Sequence, residues 1–295
     1  MSTNRRTFLK MGGLSALAMA APVKKMATNI LNEMAENNAA GDLQKFGLQL
    51  WTVKEDMAKD PKQTLKAVAS FGYKQLESFE GKMGMFWGMT NKEFKKYCDS
   101  IGTKIISSHC DINTNFEQKA AQAAEIGMDY LICPYKGPQK DIDAFKKFAE
   151  QFNKCGEICK KNGIRFAYHN HDYSFKPIDG QVPQVVMMND TDPNLVDFEM
   201  DIYWVVAAGE NPQEWLRKYS HRFKLCHVKD LTRTANGGHE SCILGKGTID
   251  YPTILKTAKD NGMKYYIVEQ EAFTGTTPLE SAKADAAYMK AFKFA

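Results

Sequence analysis

Long apolar runs, an excess of one charge sign and paired cysteines are all scarce in this chain, and each scarcity removes a class of protein. The one N-terminal apolar run, residues 11–20, is too short to cross the roughly 30 Å hydrocarbon core of a bilayer, and no later stretch is apolar enough to try. Formal charge is only +4, and three of the basic residues, Arg5, Arg6 and Lys10, fall in an N-terminal stretch of 22 residues without acids. The rest is therefore close to neutral, which excludes the basic footprint of a nucleic-acid-binding protein. Pairs such as Lys95-Lys96 and Lys160-Lys161 read as solvated helix faces. The seven cysteines are odd in number and form no C-x-x-C pair, so they read as small buried hydrophobes rather than a disulfide or zinc framework. No Gly-x-Gly-x-x-Gly follows the first strand-like run, and no Walker sequence occurs. What remains is an ordinary globular profile of 295 residues, 43% hydrophobic and 25% charged.

The first 22 residues read as a signal rather than as part of the fold. Ser2 to Lys10 form a charged segment holding Arg5-Arg6 and then Phe8-Leu9-Lys10, and small residues follow at Ala18 to Ala21. This resembles a twin-arginine export signal, which implies a periplasmic destination. Residues 23–45 read as a leader with little periodic hydrophobicity and one short helix near Met26 to Glu36.

From Phe46 a rhythm begins. Eight short apolar runs, at 46–51, 74–79, 104–109, 130–134, 165–171, 195–201, 223–230 and 265–271, alternate with segments of helical period. Several helices end at a glycine just ahead of the next strand: Gly72, Gly102, Gly127, Gly163 and Gly262. Eight strand–helix units over residues 46–295 predict one α/β domain, a (β/α)8 TIM barrel, over a doubly wound open sheet.

Polar residues crowd the C-terminal ends of these runs, the end where such barrels carry active sites. They are Glu77, His109, His169 with Asn170 and His171, Asp201, His227 with Lys229, and Glu269 with Glu271. Strand alternation groups 167, 169 and 171, then 197, 199 and 201, then 225, 227 and 229, and then 267, 269 and 271. His169, Asp201, His227 and Glu269 are thereby expected to point into the barrel mouth from four consecutive strands. Imidazoles and carboxylates together suit Mn²⁺, Zn²⁺, Co²⁺ or Fe²⁺.

In order and spacing these motifs resemble the xylose isomerase-like barrel family of sugar isomerases, epimerases and related lyases. The carriers are Gly72-Tyr73-Lys74-Gln75-Leu76-Glu77, Ser107-Ser108-His109 and Tyr168-His169-Asn170-His171-Asp172. Asp201-Ile202-Tyr203-Trp204, Cys226-His227-Val228-Lys229-Asp230, Gly245-Lys246-Gly247 and Val268-Glu269-Gln270-Glu271 complete them. The resemblance implies a metal held by Glu, Asp, His and Glu on strands five to eight, the last three mapping onto Asp201, His227 and Glu269. It also implies two glutamates acting as opposed acid–base groups. The fifth strand departs from this pattern, with His169-Asn170-His171 where many epimerases have Glu-Asn-His.

The expected chemistry is enediolate formation on a small carbohydrate or cyclitol. Glu269 or His171 takes a proton, Lys229 neutralises developing charge or protonates a leaving oxygen, and His169 both binds metal and can move protons. Glu77, His109, Trp51 and Asn170 are expected to contact substrate or to close the floor of the site, and Phe86 and Trp87 either stack on sugar or pack. A plain turn is expected at Gly245-Lys246-Gly247, and, since an exported enzyme would also meet few phosphorylated sugars, an unphosphorylated substrate. The family places a sugar isomerase or epimerase first. The His169 departure favours the alternative, a lyase acting on a 3-keto-glycoside or keto-inositol. A non-catalytic periplasmic carbohydrate-binding barrel is the reading of another class. No nucleic acid is expected, and self-association is left open.

Overall fold

A computed structural model describes Leu43 and residues 45–294 of the chain. Apart from Leu43 and Lys45, the expected signal and leader lie outside the described residues. Eight parallel strands close into a barrel: β1 Gly47–Gln49, β2 Gln75–Phe79, β3 Lys104–His109, β4 Tyr130–Cys133, β5 Arg165–His169, β6 Val196–Asp201, β7 Phe223–Val228 and β10 Tyr265–Val268. The TIM barrel is thus the fold, and all eight apolar runs supply its staves. An antiparallel hairpin, β8 Asp230–Arg233 with β9 His239–Cys242, sits between β7 and β10 and was not foreseen.

Local chemistry sets the rhythm. Asp60, Asn211, Asp250 and Thr277 each cap a helix through the side chain, with proline at the first or second helical position. At the other end, Gly72 takes φ +110°, stopping its helix where a side chain would be strained. Inside the lower half of the barrel, Ile106, Ile132, Ala167, Leu225 and Ile267 pack with Tyr130 in a dry cluster. Below it Asp197 accepts from Tyr130 Oη at 2.8 Å and is paired with Arg165. Among the described residues, no helix is long and apolar enough to cross a membrane. All seven cysteines are thiols, six of them buried.

Two irregularities aim side chains at the upper half. The β2–β3 register shifts between Leu76 and Glu77, and the β6–β7 register between Phe198 and Glu199. Bulges at barrel rims commonly redirect a side chain in this way, and each of these precedes a buried glutamate.

The last helix, Pro278–Ala291, carries a buried acid away from the barrel interior, Asp285. Its Oδ1 accepts from Leu244 N at 2.8 Å, while Oδ2 is buried without a hydrogen-bond partner. Burial, and secondarily the charge of Asp230, push its pKa up to about 7. An acid whose folded pKa is raised is destabilising once ionised, so stability falls as pH rises from about 4 to 7. Asp285→Asn is expected to flatten that decline and to raise unfolding free energy at pH 8 by roughly 1–4 kcal/mol. Urea titrations at pH 5 and pH 8 check this; an unchanged pH dependence would refute it.

Candidate active site

The upper half of the barrel holds a polar cluster of unusual density. Glu77, Glu199 and Asp201 have no exposed surface, His227 has none, and Lys229, His169 and Glu269 have almost none. Burying that many carboxylates is unfavourable unless each meets donors or positive charge, and the contacts are ordered accordingly.

Two deep glutamates grip the imidazoles from behind. Glu77 accepts from Gln49 Nε2 at 2.8 Å and Ser107 Oγ at 2.6 Å, and its Oε1 lies 2.7 Å from His227 Nε2. Glu199 Oε2 lies 3.0 Å from His169 Nδ1 and 2.8 Å from His109 Nε2. Each contact fixes one ring nitrogen and turns the other outward, as the carboxylates behind metal-binding histidines do. His227 thereby presents Nδ1, 3.2 Å from Glu269 Oε2 and 3.7 Å from Asp201 Oδ2. His169 presents Nε2, 3.8 Å from the same Asp201 oxygen.

Asp201 Oδ2 is the focus. Its partner Oδ1 caps the helix Ile202–Ala207 by accepting from Trp204 N at 3.1 Å. Oδ2 itself is buried without a hydrogen-bond partner, ringed by His169 Nε2, His227 Nδ1 and Lys229 Nζ at 3.6–3.8 Å. Ligand atoms of Asp201, His227 and Glu269 lie close enough together to hold one ion, and so do those of His109, His169, Glu199 and His227. Each group has a buried carboxylate oxygen without a hydrogen-bond partner, Asp201 Oδ2 in the first and Glu199 Oε1 in the second, and the first is the better cation site because it brings two carboxylates to one imidazole. In the second group Glu199 Oε2 already serves two histidines. Three of the four donors expected from the sequence, Asp201, His227 and Glu269, thus form one group, while His169 belongs to the other and reaches the first through Nε2, 3.8 Å from Asp201 Oδ2. Imidazoles and carboxylates of this kind suit a divalent transition metal.

The electrostatics follow from these contacts. Burial opposes charge on His227, but Glu199 and Glu269 outweigh it and hold its pKa well above the usual value. Burial likewise opposes charge on His109, and Glu77 and Glu199 overcome it, raising the pKa to about 9. His169 is kept neutral by burial and by His227 beside it. His171 is lowered to about 4, mainly by burial. Burial raises Glu199 to about 7, helped by the charge of Glu77. For Glu269 burial is outweighed by Lys229 and His227, which keep it ionised.

A cavity of about 540 Å³ opens above the cluster, with His109, His169, His171, Trp204, Glu269 and Glu271 in its inner wall and Trp51 and Tyr135 farther round. His171 lies beyond the end of β5 and Lys229, Glu269 and Glu271 beyond β7 and β10, yet His171, Glu269 and Glu271 all still reach the cavity. Of the expected residues, Glu77, Phe86 and Trp87 take the structural alternative of the sequence reading, while Asn170 and Lys229 sit differently from it. Glu77 lies beneath the cavity, holding His227. Asn170 exchanges hydrogen bonds with the backbone of Asp201, both at 3.2 Å. Lys229 Nζ is buried against Glu269 Oε2 at 3.1 Å and Glu271, so it holds the acids in place from behind. Its neighbour Asp230 is not its partner. Phe86 and Trp87 are buried packing residues, Trp87 Nε1 donating to Ser78 Oγ at 3.1 Å.

Asp230 instead explains Gly245-Lys246-Gly247. Its carboxylate accepts from the backbone N–H of Leu231, Gly245, Gly247 and Ile249 at 2.8–3.2 Å. A Cβ on Gly247 would lie 2.2 Å from Asp230 Oδ1 and 2.4 Å from Leu231 O. The amides that might have cradled a phosphate in this loop are occupied, and the turn reading stands. Glu199 is the residue that sequence reasoning passed over. Its signal was present, since it shares a strand face with Asp197 and Asp201.

Residues 65–292 match the xylose isomerase-like TIM barrel family model, and the chain belongs to that family. Among curated proteins it is 30% identical to an inosose dehydratase of Clostridium perfringens over 50% of this chain and 54% of the relative. The chain thus spans about half the length of that relative. An inosose dehydratase of Clostridium beijerinckii is 26% identical over 68% of this chain and 70% of its own. Among solved structures, a sugar phosphate isomerase/epimerase from Parabacteroides distasonis is 31% identical with TM-score 0.73, covering 86% of this chain and 96% of its own. The IOLI protein, solved with a bound zinc atom, shares the fold at 14% identity and TM-score 0.66, over 83% of this chain and 96% of that one.

His227→Ala and Glu269→Ala are each expected to lower divalent-metal retention after dialysis tenfold or more, roughly the loss seen when metal-site contacts are removed. Asp197→Asn, on the same strand as Asp201 but at the barrel floor, should retain metal. Elemental analysis of the folded variants decides, and full retention in His227→Ala would remove the ring as a metal site.

Proposed function

We propose that the protein is a metal-dependent lyase that eliminates a β-substituent, water or an alcohol, from a keto-inositol or a 3-keto-glycoside. The observation that carries this reading is the asymmetry of the cavity wall. His169 and Glu269 line it where a symmetric epimerase would offer two glutamates, and two further imidazoles share the wall, His171 with Nδ1 unpartnered and His109 held between Glu77 and Glu199. The similarity to two inosose dehydratases supports the same reading. It reverses the order expected from sequence, in which isomerisation came first.

His169, Asp201, His227 and Glu269 would hold the divalent cation, which when bound polarises a carbonyl and an adjacent hydroxyl of the substrate. The chain's own groups supply the proton transfers. His171, neutral and free of any ion pair, takes the C–H proton α to the ketone, a transfer that imidazole suits near pH 7. The electron pair moves into the carbonyl as an enolate and returns to expel the β-oxygen. His109, kept protonated by Glu77 and Glu199, gives its proton to that departing oxygen. The products are an enone and water or an alcohol, with the proton taken at His171 balanced by the one given at His109. Glu269 and Glu271 are bound to Lys229 and so are less free to act as the base. Lys229 positions them.

An isomerase or epimerase is the second reading, supported by the name of the Parabacteroides distasonis protein. The Asp230-filled loop argues for an unphosphorylated substrate in either case. Export to the periplasm, proposed from residues 1–22, would fit such a substrate.

Metal-loaded protein incubated with 2-keto-myo-inositol and with methyl 3-keto-β-glucopyranoside in D₂O, followed by NMR, separates the readings. The lyase predicts an unsaturated ketone and loss of water or methanol. Deuterium incorporation without loss of a substituent would overturn it in favour of epimerisation. His171→Ala is expected to lower kcat by about 10²–10⁴.

A further inference from the structure

The cavity is too large for one small ring. A six-carbon ring with its hydroxyls displaces five or six waters, on the order of 150–180 Å³ at about 30 Å³ each, against the cavity's roughly 540 Å³. The surplus is furnished in a particular way. Three large hydrophobic side chains are exposed among the described residues, and two of them, Trp51 at 38% and Tyr135 at 55%, line this cavity. Apolar surface left open at a polar cavity usually marks a binding face.

Both rings are fixed. Trp51 sits in the 3₁₀ turn Leu50–Val53, whose other three side chains are buried. Its N–H donates to Gln49 Oε1 at 3.1 Å, and Gln270 N donates to Thr52 Oγ1 at 3.0 Å, so the turn is tied to β1 and to the segment that follows β10. Phe79 meets the indole edge-on at 5.0 Å, and Lys54 Nζ lies 3.8 Å from its centroid. Tyr135 stands edge-on to His171 at 5.0 Å and Tyr173 at 5.3 Å.

Beside them runs a braced polar fence. Asn113 Nδ2 donates to Asp111 Oδ1 at 2.7 Å, Gln151 Nε2 to Asn113 Oδ1 at 2.9 Å, and Lys136 Nζ to Gln151 Oε1 at 2.7 Å. Asp111, Asn113 and Lys136 line the cavity. Aromatic faces with a polar fence match a pyranose, which has an apolar ring face and a hydroxylated edge.

We infer that Trp51, Tyr135 and this fence form an outer subsite for a second pyranose ring, so that the substrate is a two-ring keto-glycoside whose leaving group is a sugar alcohol oxygen. This rests on the proposed lyase reading for the chemistry, but not for the binding. In elimination from such a substrate, the proton at C2 leaves to His171, the C1–O bond breaks, and the departing sugar oxygen takes the proton of His109. A 2-hydroxy-3-keto-glycal and a free sugar result.

Binding by the intact metal-loaded protein tests the subsite without turnover, using cellobiose against glucose in calorimetric titration. The expected result is cellobiose binding at least tenfold tighter than glucose, with that preference abolished in Trp51→Ala and reduced in Tyr135→Ala. Equal binding of the two sugars by the wild type, no binding of either, or a preference kept in both variants would overturn the subsite. Failure of the elimination assay with retention of the cellobiose preference would refute the lyase reading and leave the subsite standing. Circular dichroism confirms that each variant is folded, and Tyr135→Ala carries the test if Trp51→Ala is not.

Discussion

Negative charge with nowhere to go is the constraint around which this barrel is organised. Glu77, Glu199 and Asp201 are completely buried and Glu269 is 6% exposed, all within the reach of three histidines and one lysine. Hydrogen bonds account for Glu77, and the two histidines on Oε2 account for half of Glu199. Lys229 accounts for most of Glu269. Two oxygens of the cluster are left without a hydrogen bond, Glu199 Oε1 and Asp201 Oδ2, and the second has imidazole nitrogens and an ammonium nearby. In a close-packed protein such an atom is expensive unless something cationic is meant to meet it. The ring of His169, His227 and Glu269 around it is the rest of that arrangement.

The two deep glutamates then become intelligible. A ligand imidazole must offer the correct nitrogen in the correct direction, and a carboxylate behind the other nitrogen does both. Glu77 performs that task for His227 and Glu199 for His169. Each lies directly after a register shift in the sheet, so a backbone irregularity aims the acid that aims the histidine. His109 shares Glu199 with His169 and so is tied to the same network while facing the cavity.

Much of this was legible in the sequence. Strand period, helix-ending glycines and capping residues such as Asp60 and Thr277 are local signals, and the barrel follows from their repetition. The inward direction of Asp201, His227 and Glu269 follows from alternation, because the period of two continues through the strand ends. What sequence did not disclose is long-range. That Glu77 grips His227 across 150 positions, that Lys229 turns away from adjacent Asp230 toward Glu271, and that Asp230 fills the Gly245–Gly247 turn are matters of closure in three dimensions. Glu199 was missed for a related reason: its two neighbours on the same face are a floor acid and a cap acid, and only the bulge before it shows that it serves neither purpose. The hairpin Asp230–Cys242 was hidden by its polar composition, although Ser241 in it holds the backbone N–H of Glu271 at 2.8 Å.

Everything in the upper barrel turns on where one cation sits, and anomalous scattering from crystals soaked in Mn²⁺ locates it. A single strong peak is expected within coordination distance of Asp201 Oδ2, His227 Nδ1, His169 Nε2 and a Glu269 oxygen. A peak centred on Glu199 and His109 instead, or none above noise at this ring in crystals that bind Mn²⁺ elsewhere, would contradict it.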